Sequence, residues 1–411
     1  MKILLVHNYY QRRGGEDVVF EREAKLLAEA GHDVIPFTVT NDQLQDPREL
    51  LKITMALGRN KATALKMRNI LVSEQPDIVH VHNTFPIISA SIFAPCDEHS
   101  IPVVQTLHNF RMFCANGILL RDDKACCDCV GKVPFGAVRY RCYKKSTLGS
   151  MVVAAEIYRN SLSKVFQRQV STFIVLTHMA KDFFAKNGLA PEDIIVKPHF
   201  APQPARAPNP FGPRKGFVFV GRLSREKGVF DLIKAFQGTK LCLTIIGDGP
   251  ERAALESEAG ANINFAGRMS QEEISRVMQA SQALIVPSVW EEIFGLVVVE
   301  AYANALPVIA SKIGALAEIV RPETGYHFEA GDPMELRQIC ERLAGNLRET
   351  AKRGEAALRI FEELYSPEAN LRQLEGIYQH TIMKKKNKTA QSLQGDPKSV
   401  KGFIPQIQHT E

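Results

Sequence analysis

Three carboxylates bracket an apolar run in SVWEEIFGLVVVEA, residues 288–301: Glu291 and Glu292 at one end and Glu300 at the other. A carboxylate that leaves water must be paired or hydrogen-bonded, because a bare buried charge is strongly destabilising. Pro287 and Ser288 end a strand, and Gly295 permits close backbone approach, so the spacing predicts a helix starting near Phe294 or Gly295. Glu292 then lies in the loop before the helix and Glu300 more than a turn inside it. Eight residues amount to about 80° of net rotation, so the pair marks a loop and a helix wall, not one helix face. A helix start with free amides suits a phosphate or diphosphate. Beside such an anion Glu300 would suit a ribose diol, and Glu292 a sugar, because carboxylates accept from hydroxyls. The competing reading pairs Glu300 with a core arginine and leaves Glu291 and Glu292 in solvent.

Upstream, VGRLSREKG places Gly221 and Arg222 at a strand end, with Lys227 and Gly228 opening the next helix. Arginine offers a planar fork and lysine a mobile point charge, so the two can clamp a diphosphate. Beside Arg225 they can equally be solvated surface cations. No G-x-G-x-x-G follows any strand, which disfavours a dinucleotide dehydrogenase.

A second constellation is C-x11-C-x2-C-x12-C, formed by Cys114, Cys126, Cys129 and Cys142, with Cys127 to spare. Four thiolates at these spacings suit one tetrahedral zinc, structural because no coordination position stays open. Free thiols and disulfides are the alternatives, the latter disfavoured in a reducing compartment. His7, His80 and His82 stand at strand ends and read as hydrogen-bonded structural imidazoles. The basic stretch RYRCYKKS and the segment after it can lie on an anionic membrane or form a solvated helix face.

The elements that position these residues alternate. Strand-like runs KILLVH, DVIPFTV, DIVHVH, PVVQTLH and FIVLTH are separated by helix-period stretches, which implies parallel strands with crossover helices. Prolines crowd residues 201–216, which reads as a linker, and the rhythm restarts in GFVFVG, LCLTIIG, INFAG, ALIVPS and LPVIAS. The expected fold is α/β, two Rossmann-like doubly wound domains facing across a cleft, at residues 1–200 and 217–366. A Cys-rich insert occupies 110–146, a C-terminal helix 367–383, and a disordered basic tail 384–411. At 411 residues two domains are expected, and a net charge of +6 is too modest to demand nucleic acid. The opening MKILLVHNYY lacks a cleavage signal and no apolar run is long enough to span a membrane, so a cytoplasmic protein is expected.

These motifs, with Gly14-Gly15-Glu16, GHDV at 31–34, DIVHVHN, TLHNF and IIGDGPER, resemble the retaining glycosyltransferases of family 4, which have the GT-B fold. The resemblance spans about residue 1 to about residue 380 and includes an E-x7-E signature, here Glu292 and Glu300. It implies that Arg222 and Lys227, beside Gly221, grip a donor diphosphate, that Glu300 holds the ribose, and that Glu292 stands beside the donor sugar. The amides of Phe294, Gly295 and Leu296 would face the diphosphate and sugar. Gly14 and Gly15 would approach the donor from the first domain, His108 would contact the transferred sugar, and Gly267 and Arg268 would lie by the base. The chain departs from the family at Ala305-Leu306-Pro307, often Gly-x-Pro, and at Gly314-Ala315 before Glu318, often a glycine pair.

The implied activity is sugar transfer, with retention, from a nucleotide-diphosphate sugar to an acceptor hydroxyl in polysaccharide or glycolipid synthesis, without a catalytic metal. The acceptor would be a glycan or lipid-linked, with peripheral contact at the inner membrane face. The rivals are a sugar-nucleotide epimerase and a non-catalytic nucleotide-sugar-binding protein.

Overall fold

The computed structural model describes residues 1–11, 13–42, 56, 59–122 and 124–394. In the first half, β1 (Lys2–Tyr9), β2 (Asp33–Thr40), β3 (Ile78–Val81), β4 (Val103–Thr106), β7 (Thr172–Val175) and β8 (Ile194–Val196) pair throughout in parallel. Their order is β2-β1-β3-β4-β7-β8. A short hairpin of β5 (Leu120–Arg121) and β6 (Lys124–Ala125) belongs to the cysteine insert. The second half repeats the plan with β9 (Phe217–Val220), β10 (Leu243–Ile246), β11 (Ile263–Gly267), β12 (Ala283–Val286), β13 (Val308–Ser311) and β14 (Gly325–Phe328). All pairs are parallel, in the order β11-β10-β9-β12-β13-β14.

Buried strands such as IVHV, VVQT, TFIV and ALIV expose neither face, because helices cover both sides of a parallel sheet. Two strands escape the sequence reading, β8 and β14. β8 is three residues, IIV, too short to show a period, and β14, GYHF, is interrupted by a glycine and a histidine.

The sheet orders fix where ligands can sit. In each half the crossover direction reverses once, between β1 and β3 in the first sheet and between β9 and β12 in the second. Crevices open beyond the strand ends at such reversals. The loops after β9 and β12 carry Arg222, Lys227 and Glu292, and the loop after β1 ends at Gly14, with Gly15 opening the helix.

The last helix, Pro367–Gln394, returns to the first half, where Leu374, Ile377 and Tyr378 pack beneath Ile3, Leu5, Phe20 and Ile174. It runs past the expected end at 383, so residues 384–394 are helical and not an irregular tail. Lys384 and Lys385 pair with Asp193 and Asp97, which anchors the extra turns. The rest of that expected tail, 395–411, lies outside the described residues. The chain thus crosses between halves twice, near Ala201 and after the π-helical turn Phe361–Tyr365. The two crossings are hydrogen-bonded to each other, Ala201 N–H donating to Tyr365 O at 3.2 Å.

Candidate active site

At the reversal of the second sheet, the loops after β9 and β12 touch through Gly228. Its φ is +67°, and a Cβ there would stand 1.8 Å from the Pro287 carbonyl oxygen, so only glycine allows this approach. The contact sets Lys227, at the end of the turn Arg225–Lys227, against the glutamate loop. Lys227 Nζ lies 2.7 Å from Glu292 Oε1, and the Ser288 hydroxyl donates to the same oxygen. Glu292 is buried, so this pairing answers its desolvation. Lys227 and Glu292 are therefore brought together as an ion pair, where the sequence reading gave them separate ligand contacts. Arg222 is exposed just beyond the end of β9, and no ion pair or hydrogen bond engages its side chain among the described residues.

The signature helix runs Leu296–Ala303 with Gly295 as its cap, as the spacing predicts. Phe294 is buried against the ring of His199 at 5.2 Å. Glu300 projects from the helix toward the first domain, and its Oε1 lies 2.8 Å from Arg22 Nη2 on helix Gly15–Glu29. An arginine partner for Glu300 is the competing sequence reading, realised by a cation from the opposite lobe. Its contact takes one carboxylate oxygen where a ribose was expected, so a ribose must share Glu300 with Arg22 or displace it.

Both departures from the family pattern have backbone consequences. Ala305 occupies the left-handed region at φ +51°, which disfavours a side chain and suits the family's usual glycine. Gly314 has φ +52°, and a Cβ there would fall 2.9 Å from the Glu291 Cα. The next residue, Ala315, donates its N–H to the Glu292 carbonyl at 2.9 Å, so one glycine suffices for the close approach. Glu318 accepts from the His178 and Met179 amides at 2.9 and 3.1 Å, capping a first-domain helix. Gly267 ends β11 at φ +72°, and Arg268 is exposed, 3.7 Å from Asp248.

Across the cleft, Gly14 and Gly15 open helix Gly15–Glu29, and the Gly14 amide donates to Asp17 Oδ2 at 2.8 Å. The next residue, Glu16, accepts from Asn109 Nδ2 and from the Tyr10 hydroxyl. Burial pushes the Glu16 carboxyl upward. This bond ties the glycine loop to the loop of His108.

His108 is buried in a chain of three imidazoles. Its Nε2 lies 3.1 Å from His82 Nδ1, and its Nδ1 lies 3.2 Å from His199 Nε2. The Glu23 carboxylate, bonded to Lys197 at 2.6 Å, stands 3.5 Å from His82 Nε2. That carboxylate favours a proton on His82 Nε2, and three neutral rings then satisfy the chain with every proton on Nε2. Burial pulls the His108 pKa down to about 3 despite the opposing pull of Glu23, so the ring is neutral. With both nitrogens engaged, it can contact a sugar hydroxyl only if one imidazole contact opens. His7 and His80 have the structural partners expected of them, Asp17 for one, Tyr378 and Thr106 for the other.

Beside His108 lies a cavity of about 80 Å³ lined by Gln105, Asn109, Arg111 and Glu156 among others. Glu156 comes from helix Thr147–Ser163, and burial raises its carboxyl to about 7 against the opposing pull of Arg159 and Arg111. Neither Glu156 nor His199 nor Arg22 is marked by a sequence motif. Their roles depend on contacts between distant segments, and only the HNF run containing Asn109 gave a local signal.

Cys114, Cys126, Cys129 and Cys142 converge on one small cavity of about 20 Å³ in the insert. Burial, then the neighbouring sulfurs, raise the thiols of Cys129 and Cys142. Among the described residues no three of these sulfurs lie within 4.8 Å of one another; the trio that does is Glu23, His80 and His82. In that trio Glu23 is taken by Lys197 and both His80 nitrogens are hydrogen-bonded, which disqualifies it as a metal ligand set. The cysteine set has the donor chemistry for zinc and must draw together to bind it. Burial and then the charge of Glu291 push the Cys127 thiol up.

The family model described as Glycosyltransferase Family 4 matches residues 13–201, and the one described as Glycosyl transferases group 1 matches residues 204–358. The chain is 32% identical over 162 residues to D-rhamnosyltransferase WbpZ of Pseudomonas aeruginosa, covering 38% of this chain and 42% of that protein. It is 26% identical over 344 residues to glycogen synthase of Mycobacterium tuberculosis, covering 73% of this chain and 75% of that one. The fold matches the solved structure of Anabaena HepE in complex with UDP, with a TM-score of 0.61 at 18% identity over 92% of this chain and 99% of that one. With the two sheets, the signature helix and the loops of Arg222 and Glu292 in these places, the chain belongs to family 4 of the glycosyltransferases and has the GT-B fold.

Proposed function

We propose that this glycosyltransferase transfers the sugar of a nucleotide-diphosphate sugar to an acceptor hydroxyl with retention of configuration. The acceptor is a glycan or a lipid-linked glycan, and the work is cytoplasmic, at the inner membrane face, in polysaccharide or glycolipid synthesis. What supports this reading is the contact of Lys227 with Glu292 where the loops after β9 and β12 meet at the reversal of the second sheet, with exposed Arg222 on the first of those loops and the start of helix Leu296–Ala303 following the second. The HepE structures that share the fold hold UDP and UDP-glucose, which supports a nucleotide donor.

In this reading negative charge grows on the departing diphosphate while the sugar passes through an oxocarbenium-like transition state. Arg222, Lys227 and the amides of Phe294, Gly295 and Leu296 stabilise that charge. Lys227 then exchanges part of its bond with Glu292 for the phosphate, and Glu292 turns to the donor sugar. Ribose hydroxyls bind Glu300 beside Arg22 or in its place. Gly14 and Gly15 close on the donor from the first lobe, and Gly267 and Arg268 flank the base. A ring with a pKa of about 3 is a poor proton acceptor, so His108 positions the sugar and the leaving phosphate takes the acceptor's proton on the same face. A zinc held by Cys114, Cys126, Cys129 and Cys142 would fix the shape of the insert and take no part in the chemistry.

Replacing Arg222 or Lys227 by alanine is expected to cost about 2–4 kcal/mol of transition-state stabilisation, read as kcat/KM for nucleotide-sugar turnover. Undiminished turnover in both single variants would refute the diphosphate assignment. Release of nucleoside diphosphate from the donor, with and without acceptor, separates a transferase from a binding protein.

A further inference from the structure

We propose that the outer face of helix Thr147–Ser163, with the adjoining insert, is the surface by which this protein docks on an anionic lipid bilayer. The helix is two-sided. Ser150, Val153, Ala154 and Ile157 are buried, and Glu156 opens on the cavity beside His108. About 120° round the helix from that face, Leu148, Met151, Tyr158 and Leu162 share one side with exposures of 64, 52, 40 and 65%. Four large apolar residues share one side of a helix about 25 Å long, unlike scattered surface hydrophobics. Val133 and Phe135, at the start of the neighbouring short helix of the insert, are exposed as well.

Charge decides the occupant. Residues 131–170 contain eight lysines and arginines and one acid, Glu156, an excess larger than the +6 of the entire chain. The positive charge of the protein is therefore concentrated in this segment, and its single acid points inward. Exposed Arg139, Arg141, Lys144 and Lys145 lie just ahead of the apolar stripe. An apolar stripe rimmed by cations matches acyl chains beneath anionic headgroups. A second copy of the same face would set cation against cation. Because the inner side of this helix lines the cavity beside His108, a lipid-linked acceptor could keep its tail in the bilayer while its head group enters the cleft. That last step rests on the transferase reading; the docking does not.

The test is co-sedimentation of the full chain with vesicles of phosphatidylcholine containing about one-third phosphatidylglycerol, against phosphatidylcholine alone, at physiological salt. The wild type is expected to sediment with the anionic vesicles and to stay in solution with the neutral ones. Leu148→Ser with Leu162→Ser, and separately Lys144→Glu with Lys145→Glu, should each lower partitioning at least tenfold. Both should leave the thermal midpoint and donor turnover on a water-soluble acceptor unchanged. No binding by the wild type, equal binding to neutral vesicles, or a serine variant that binds like the wild type would overturn the proposal. So would a dimer in light scattering that the serine pair splits, which would assign the face to a second copy. Vesicle binding is read without sugar transfer, so its failure leaves the transferase reading standing.

Discussion

Among single residues, Glu156 has the most readable consequence. A carboxyl held at about 7 keeps its proton in the folded chain where the unfolded chain has lost it. The folded state binds more protons between the ordinary carboxylate range and about 7, so stability falls as pH rises through that window and levels off above it. Glu156→Gln should flatten this slope and raise stability at about pH 8 by about 1–2 kcal/mol, measured by chemical denaturation across pH. A slope identical to the wild type would contradict the assignment. Glu292, Glu300, Arg222 and Lys227 were legible in the sequence because each occupies a motif of fixed spacing. Their partners were not. Arg22 meets Glu300 and His199 meets His108 across sequence separations of 278 and 91 residues, which no local pattern encodes.

At the scale of elements, helix Gly15–Glu29 and helix Leu296–Ala303 are bridged by the bond between Arg22 and Glu300. If ribose hydroxyls must take the place of Arg22, then Arg22→Ala removes a competitor. Nucleoside diphosphate should bind more tightly by about 1 kcal/mol, roughly fivefold, in calorimetry. Weaker binding would mean that Arg22 assists the nucleotide and does not compete with it. The cysteine insert makes a second prediction. Purified full-length protein should hold one zinc per chain by elemental analysis, and Cys126→Ser with Cys129→Ser should abolish it and loosen the insert to proteolysis. Metal-free wild type would leave the four thiols as a packing cluster. The insert was legible as a cysteine pattern, but the charge of Glu291 acting on Cys127 was not, because it depends on how the lobes face one another.

At the scale of the molecule, both sheets were legible because parallel strands buried on two faces read as continuous apolar runs, each followed by a helix. The edge strands β8 and β14 were missed because one has only three residues and the other carries a glycine and a histidine within four. The end of the last helix was also missed, because its final turns are polar and rest on the salt bridges of Lys384 and Lys385. Removing the chain from Pro367 onward should yield aggregated protein on expression, since it strips Leu374, Ile377 and Tyr378 from beneath β1. Soluble, folded truncate would show that the first lobe stands without them. The two passages between lobes carry a mechanical implication. Because Ala201 and Tyr365 are hydrogen-bonded, the two covalent passages between the lobes run side by side and not as two distant tethers. Two adjoining passages are where a pivot between the lobes is expected, and small-angle scattering with and without nucleoside diphosphate, showing a smaller radius with it, is the measurement that checks it.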